Sequence, residues 1–186
     1  MKNLPRWIFA SVAEHFRVIA ATNNITFFVE GLDERSEDDM QTSHAELRVT
    51  GPAVKEQSKN YYHTETVINL MLTSMMDMTG NAYEIIQWGG VLQEEMLEPI
   101  PVYKYGDGPK DTGQLLGCLR VKGEKRNKVQ LYNFGQMNTT DRVRQSELDA
   151  VYEMWLTTEE AERGSLLNYT VATTLVLQDT PSSATI

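Results

Sequence analysis

Residues 44–73 read HAELRVTGPAVKEQSKNYYHTETVINLMLT, and the two-residue period of this stretch decides the fold. Ala45, Leu47 and Val49 fall on one face of a first run, and Tyr62, Thr64, Thr66, Ile68, Leu70 and Leu72 on one face of a second. Successive side chains of a strand point to opposite faces, so the pattern predicts two half-buried antiparallel strands. Ser58-Lys59-Asn60 supplies the turn, and Gly51-Pro52 marks a bulge or bend in the first arm. Each arm then holds about a dozen residues, well above the usual strand length. Arms of that length reach beyond their own domain, and pairing with a neighbouring subunit is an obvious use.

Upstream, Pro5 suits the first turn of a helix, and Ile8, Val12, Phe16 and Ile19 recur at helical spacing. A helix is expected over about 5–22, ended by Asn23-Asn24, with a short strand at 25–30. The segment DERSEDD (33–39) then places five acids in seven residues: Asp33, Glu34, Glu37, Asp38 and Asp39. It lacks the central glycine and terminal glutamate of a calcium loop, so it reads as a solvated loop.

Downstream, Ile85, Trp88, Leu92 and Met96 line one face of a second helix, about 81–98, which Pro99 stops. Gly89-Gly90 in its middle cost about 1 kcal/mol each relative to alanine, which points to close packing of another backbone or to a kink. A strand at 102–105 and a loop at 106–113 follow, then a second hairpin of 114–121 with 128–134, joined by KGEKRNK. Residues 147–157 fit two templates. Leu148, Ala150, Tyr152, Met154 and Leu156 alternate as a strand, while Leu148, Val151, Tyr152 and Trp155 fit a helix capped by Ser146. The wealth of Trp, Tyr and Val favours the strand. A helical turn at 158–163, a strand at 166–177 and a polar tail complete the chain.

The expected fold is therefore α+β: a mainly antiparallel sheet with long hairpins, flanked by two helices. One core domain spans 1–157, and 158–186 form a C-terminal extension or arm.

At 186 residues with 41% hydrophobic content, the chain is long enough to bury a core. Its net charge of −9 argues against a general nucleic-acid binder. The charge is uneven: residues 99–134 carry 7 basic and 3 acidic side chains, a basic island in an acidic protein. The lone Cys118 excludes a disulfide framework within the chain and reads as a buried, inert thiol in a reducing compartment. The N-terminus does not read as a signal peptide, and no stretch reaches membrane-span length.

A nucleophile needs a base beside it, and the chain has only His15, His44 and His63. No nucleophile elbow or phosphate loop is present, and GDGPKDTG lacks the spacing of a P-loop. His44-Ala45-Glu46 and His63-Thr64-Glu65 each put an imidazole and a carboxylate on one strand face. With a turn near Ala53-Val54 the four groups could hold zinc; with the turn at 58–60 the site dissolves. No catalytic residue, cofactor or metal is expected. The basic connector (Lys122, Lys125, Arg126, Lys128) is the best contact for an acidic partner, and the acids of 33–39 on a neighbouring copy complement it.

The hairpin quoted above, NAYEIIQWGGVLQEEMLEPIPVYKYG and SELDAVYEMWLT together resemble, in organisation, the tail-terminator and neck (head–tail joining) proteins of tailed bacteriophages. The resemblance covers most of residues 4–157 and is not a motif match. It implies a virion protein made in the host cytoplasm and assembled as a homo-oligomeric ring, a hexamer or a multiple. Hairpins of adjacent subunits would augment a shared sheet. Loops 31–40 and 106–113 would dock on the portal or adaptor above and the tail below, with DNA passing through an acidic lumen unbound. No membrane role is implied. The runner-up is a small-molecule- or metal-binding β domain, including a minor hydrolase; a third reading is a regulatory protein that meets nucleic acid through 122–128.

Overall fold

Pro5 sits in the first turn of α1 (Leu4–Thr22), where its missing N–H leaves no bond unmade. Leu4, Ile8, Val12, Phe16 and Ile19 bury the inner face of this helix. Asn23 ends it: both its backbone N–H and its side-chain amide donate to the Ile19 carbonyl, at 3.1 and 2.9 Å. Asn24 then takes a positive φ of 54°, which turns the chain into β1 (Phe27–Val29). The computed structural model describes residues 3–36, 42–58, 61–76, 82–104, 113–123, 129–136 and 143–157.

The decisive stretch forms the expected hairpin. Strand β2 (His44–Ser58) pairs antiparallel with β3 (Tyr61–Met75), from His44 opposite Thr73 to Ser58 opposite Tyr61. The two arms end at Ser58 and Tyr61, which bracket the expected turn. The register slips between Thr50 and Ala53, at Gly51-Pro52. Gly51 has φ +109°, and a Cβ there would stand 3.1 Å from the Glu65 carbonyl oxygen, so only glycine fits comfortably. The other side of β3 pairs along its whole length with β7 (Val143–Thr157), from Tyr61 opposite Thr157 to Met75 opposite Val143. The ambiguous segment 147–157 is thus strand, and the centre of the molecule is a three-stranded ribbon with arms of 15 residues each. β1 adds to β2 in parallel, the one departure from an antiparallel sheet among the described strands.

Helix α2 (Tyr83–Glu95) is shorter than the sequence pattern predicted. Ile85 and Leu92, with Met96 just beyond, pack it on the face of β3 and β7 that carries Ile68, Leu70, Leu72, Leu148, Ala150 and Tyr152. β4 (Ile100–Lys104) pairs with β5 (Gln114–Val121), and α1 reaches across to β4, where Ser11 Oγ accepts from Tyr103 N at 2.9 Å. β5 joins β7 only through Arg120 and Val121 before it curls over the core. Gly117 permits that close crossing, because a Cβ would approach Met154 Sδ to 3.1 Å. The core draws on elements from Leu4 to Leu156, each fully buried large side chain contributing about 1.5–3 kcal/mol.

The second hairpin is a correction. β5 does not pair with β6 (Gln130–Gln136); both pair antiparallel with β7, one after the other along the same edge. Val121 faces Tyr152 and Gln130 faces Asp149, so β5 and β6 are two halves of one edge strand interrupted by an excursion at 122–129. The hairpin partner of β6 is β7. Cys118 is half-buried, more open than its apolar surroundings in sequence implied. The expected turn at 158–163 and strand at 166–177 lie outside the described residues.

Candidate interaction surface

The register of the ribbon separates two faces. Even-numbered positions of β3 and β7 meet the helices. Odd-numbered positions form a second face that no described element covers. Across it, His63 lies opposite Trp155, Glu65 opposite Glu153, Val67 opposite Val151, Asn69 opposite Asp149, and Met71 opposite Glu147. β5 extends the second of these rows with Arg120, and β6 extends the last two with Gln130 and Tyr132. Polar residues dominate it, because antiparallel sheets can leave one face to water or to a partner.

One end of this face is the richest in charge and aromatics. The His63 and Trp155 rings stack with centroids 4.4 Å apart, and His63 Nε2 lies 3.1 Å from Glu153 Oε2. The Lys122 ammonium donates to Glu65, and this bond holds its pKa above the usual lysine range. Trp155 and Tyr61 nevertheless remain 55% and 52% exposed, and Arg120, opposite Glu153, is exposed as well. At the other end the Arg35 guanidinium donates to Glu46 and stands 5.8 Å over the Phe28 ring. Between them, Asn69 donates to Glu147, while Asp149 Oδ1 is buried without a hydrogen-bond partner among the described residues. Burial, then the charge of Glu147, raises the Asp149 pKa.

His44 and His63 do not meet. His44 faces Thr73, ten positions along β3 from His63, or about 33 Å at the rise of a strand. His44 instead packs edge-on against Phe28, with Nδ1 2.8 Å from the Thr42 carbonyl. Among the described residues no group of three or more His, Cys, Asp or Glu gathers at metal-binding distance. His63 stands between two carboxylates, with Nε2 3.1 Å from Glu153 and Nδ1 3.9 Å from Glu65.

The acidic segment resolves into different roles. Asp33 Oδ2 accepts from Val29 N at 2.7 Å, and Asp33 Oδ1 pairs with Arg17 at 2.6 Å. Leu32 N and Asp33 N both donate to the Val29 carbonyl, at 3.1 Å each. The outer edge of β1 is therefore plugged by the turn that follows it. Asp33 is structural, and Glu34 is exposed. Glu37, Asp38 and Asp39 lie outside the described residues, as do Lys125, Arg126 and Lys128. Lys122 is drawn onto the sheet and does not stand at a hairpin tip.

The β2 edge is different. Its pairing with β1 ends at Leu47, and among the described residues no strand covers its outer edge from Val49 to Ser58. Sequence reasoning missed the exposed pair Tyr61 and Trp155, although both stand at the off-phase positions of apolar alternation. It also passed over the outer side of α2, where Tyr83, Ile86 and Leu97 are exposed. A groove of ≈ 480 Å³ lies at the end of α1, floored by Ala20, Ala21, Ile25, Phe27 and Phe28 and rimmed by the Arg17–Asp33 pair. No family model matches this chain, and no curated protein matches it.

Proposed function

We propose that this chain is a structural virion protein of a tailed bacteriophage, assembling into a ring at the neck or tail end that joins head to tail around the DNA channel. It works by sheet augmentation and surface complementarity, without catalysis. One observation supports this reading: β1 is plugged by its own turn, while the much longer β2 edge beyond it, from Val49 to Ser58, is left unpaired by any strand among the described residues. Exposed edges invite pairing with another chain, and a protein that functions alone blunts them. The ring would contain six copies or a multiple, with portal or adaptor and tail proteins above and below. A charge of −9 suits a lumen past which DNA slides, since repulsion prevents binding to phosphate.

Sedimentation at several concentrations, with negative-stain imaging of large species, tests the proposal. Closed rings of six or twelve support it. Failure to form rings alone or with purified portal and tail partners sinks it.

The groove at the end of α1 favours the small-molecule alternative, but its two charged rim groups are engaged with each other. That leaves apolar contact alone to select a ligand, and a binding site normally adds a few well-placed polar groups.

A further inference from the structure

The backbone of β2 shows which groups its open edge presents. Near the start of the strand, Ala45 N donates to the Thr26 carbonyl and the Leu47 carbonyl accepts from Glu30 N. Odd positions there turn their backbone groups toward β1 and away from β3. β3 keeps one phase along all of β7, whereas β2 slips at Gly51-Pro52. Beyond the slip the outward positions are therefore Val54 and Glu56, the partners of Thr64 and Tyr62. Pro52 has no N–H to offer, so residues 53–58 form a separate length of edge. No strand among the described residues pairs with it. Native proteins cover or blunt such edges.

The same chain carries a segment that needs an edge. Residues 166–177 read LLNYTVATTLVL, with Leu167, Tyr169, Val171, Leu175 and Leu177 in one alternating phase and no charge, glycine or proline. Left unpaired, such a segment is an aggregation hazard. The ribbon also delivers it to the right place. Thr157, the last residue of β7, stands opposite Tyr61, and Tyr61 opposite Ser58, so β7 ends in the row where the β2 edge ends. The outer side of β2 lies three strand spacings away, about 14 Å. The connector 158–165 reaches about 16 Å even with 158–163 as the expected helical turn. A segment returning from there runs antiparallel to β2, beginning at Ser58. So short a tether gives it an effective concentration of about millimolar, far above that of a neighbour's copy. We infer that residues 166–177 pair with residues 53–58 of their own chain and cap this edge in the free subunit. Where β2 edges build the ring, the cap must leave first, and assembly waits on its displacement. That consequence rests on the ring reading; the cap itself does not.

Hydrogen exchange on the full chain tests it. The Val54 and Glu56 amides, and those within 166–177, should exchange at least tenfold more slowly than unpaired backbone at every protein concentration. Val171→Pro removes a donor and halts pairing, so it should release both stretches together while β3 and β7 keep their protection. Ser183→Pro, beyond the segment, should release neither. Fast exchange at Val54 and Glu56 in the wild type overturns the cap, as does protection there that survives Val171→Pro. Protection that fades on dilution assigns the edge to a neighbouring copy and overturns it too. Val171→Pro should also strengthen self-association at least tenfold in sedimentation velocity. A released edge that gains no association would support the cap and sink edge pairing as the way the ring is built.

Discussion

The Tyr152 hydroxyl donates a 2.6 Å hydrogen bond to the Met96 carbonyl, joining the centre of β7 to the end of α2 inside the core. Burial pushes the phenol pKa far above its ordinary value, so the bond is between neutral groups at any physiological pH. Removing the hydroxyl leaves a buried carbonyl without its donor. Tyr152→Phe should destabilise the protein by about 1–3 kcal/mol in urea titration, with unchanged secondary structure. A loss near zero would mean that the helix end is satisfied some other way.

Asp33 and its neighbour Glu34 separate plugging from docking. Asp33→Ala removes the acceptor for Val29 N and the partner of Arg17, and should cost about 1–2 kcal/mol. The variant should also aggregate more readily, since it uncovers an edge. Glu34→Ala should stay within about 0.5 kcal/mol of the wild type. Equal effects would return Asp33 to the solvated loop.

His15 is half-buried beside Phe16, and burial lowers its pKa below 6.5 against a smaller opposing pull from Glu95. The unfolded chain therefore binds a proton before the folded one does. The stability His15 contributes is complete above pH 6.5 and declines as the pH falls below that value toward the lowered folded pKa. The thermal midpoint should drop between pH 7.5 and 5.5 more in the wild type than in His15→Gln. Parallel curves would remove His15 as the cause.

The opposite sign applies to Asp149. Its pKa is raised above 3.8 in the folded protein, so its ionised form is a burden at neutral pH that is relieved as the pH falls through the raised value. Asp149→Asn should raise the thermal midpoint at pH 7, and the gain should shrink on acidification. A destabilised amide variant would mean that the charge is used where it stands.

An odd and an even position of β3 test the two-face register. Leu70→Ala, in the core, should cost about 2–5 kcal/mol, while Val67→Ala on the uncovered face should cost about 1 kcal/mol or less. In an assembled ring the second variant should lose more than it does as a monomer.

The long hairpin was legible because its period is a local property: one buried face forces large aliphatic residues at Ile68, Leu70 and Leu72, two apart, and the phase of each arm fixes where the turn falls. β7 was legible in the same way once Trp155 and Tyr152 were weighed as strand formers. The pairing of β5 was not. Two short strands joined by a basic connector look the same whether they pair with each other or line up along a third. The choice is made by β7, some thirty residues away. Asp33 was hidden for a similar reason, since an acid that caps a strand edge has the same sequence signature as one that faces water, as Glu34 does. The exposed stripe on the outer side of α2 was not legible, because Ile85, Trp88, Leu92 and Met96 at helical spacing already account for the helix and leave Tyr83 and Ile86 unassigned.

The interrupted strand has a consequence for how this protein can vary. Between Val121 opposite Tyr152 and Gln130 opposite Asp149, eight residues occupy a stretch that β7 spans with two. Removing six of them would leave β5 and β6 as one continuous strand in the same phase, with Val121 and Leu131 keeping their partners. The insertion is thus a cassette: its length and charge can change without moving a single rung of the ladder on either side. Related chains that meet different neighbours can diverge there first, while the ribbon beneath is kept.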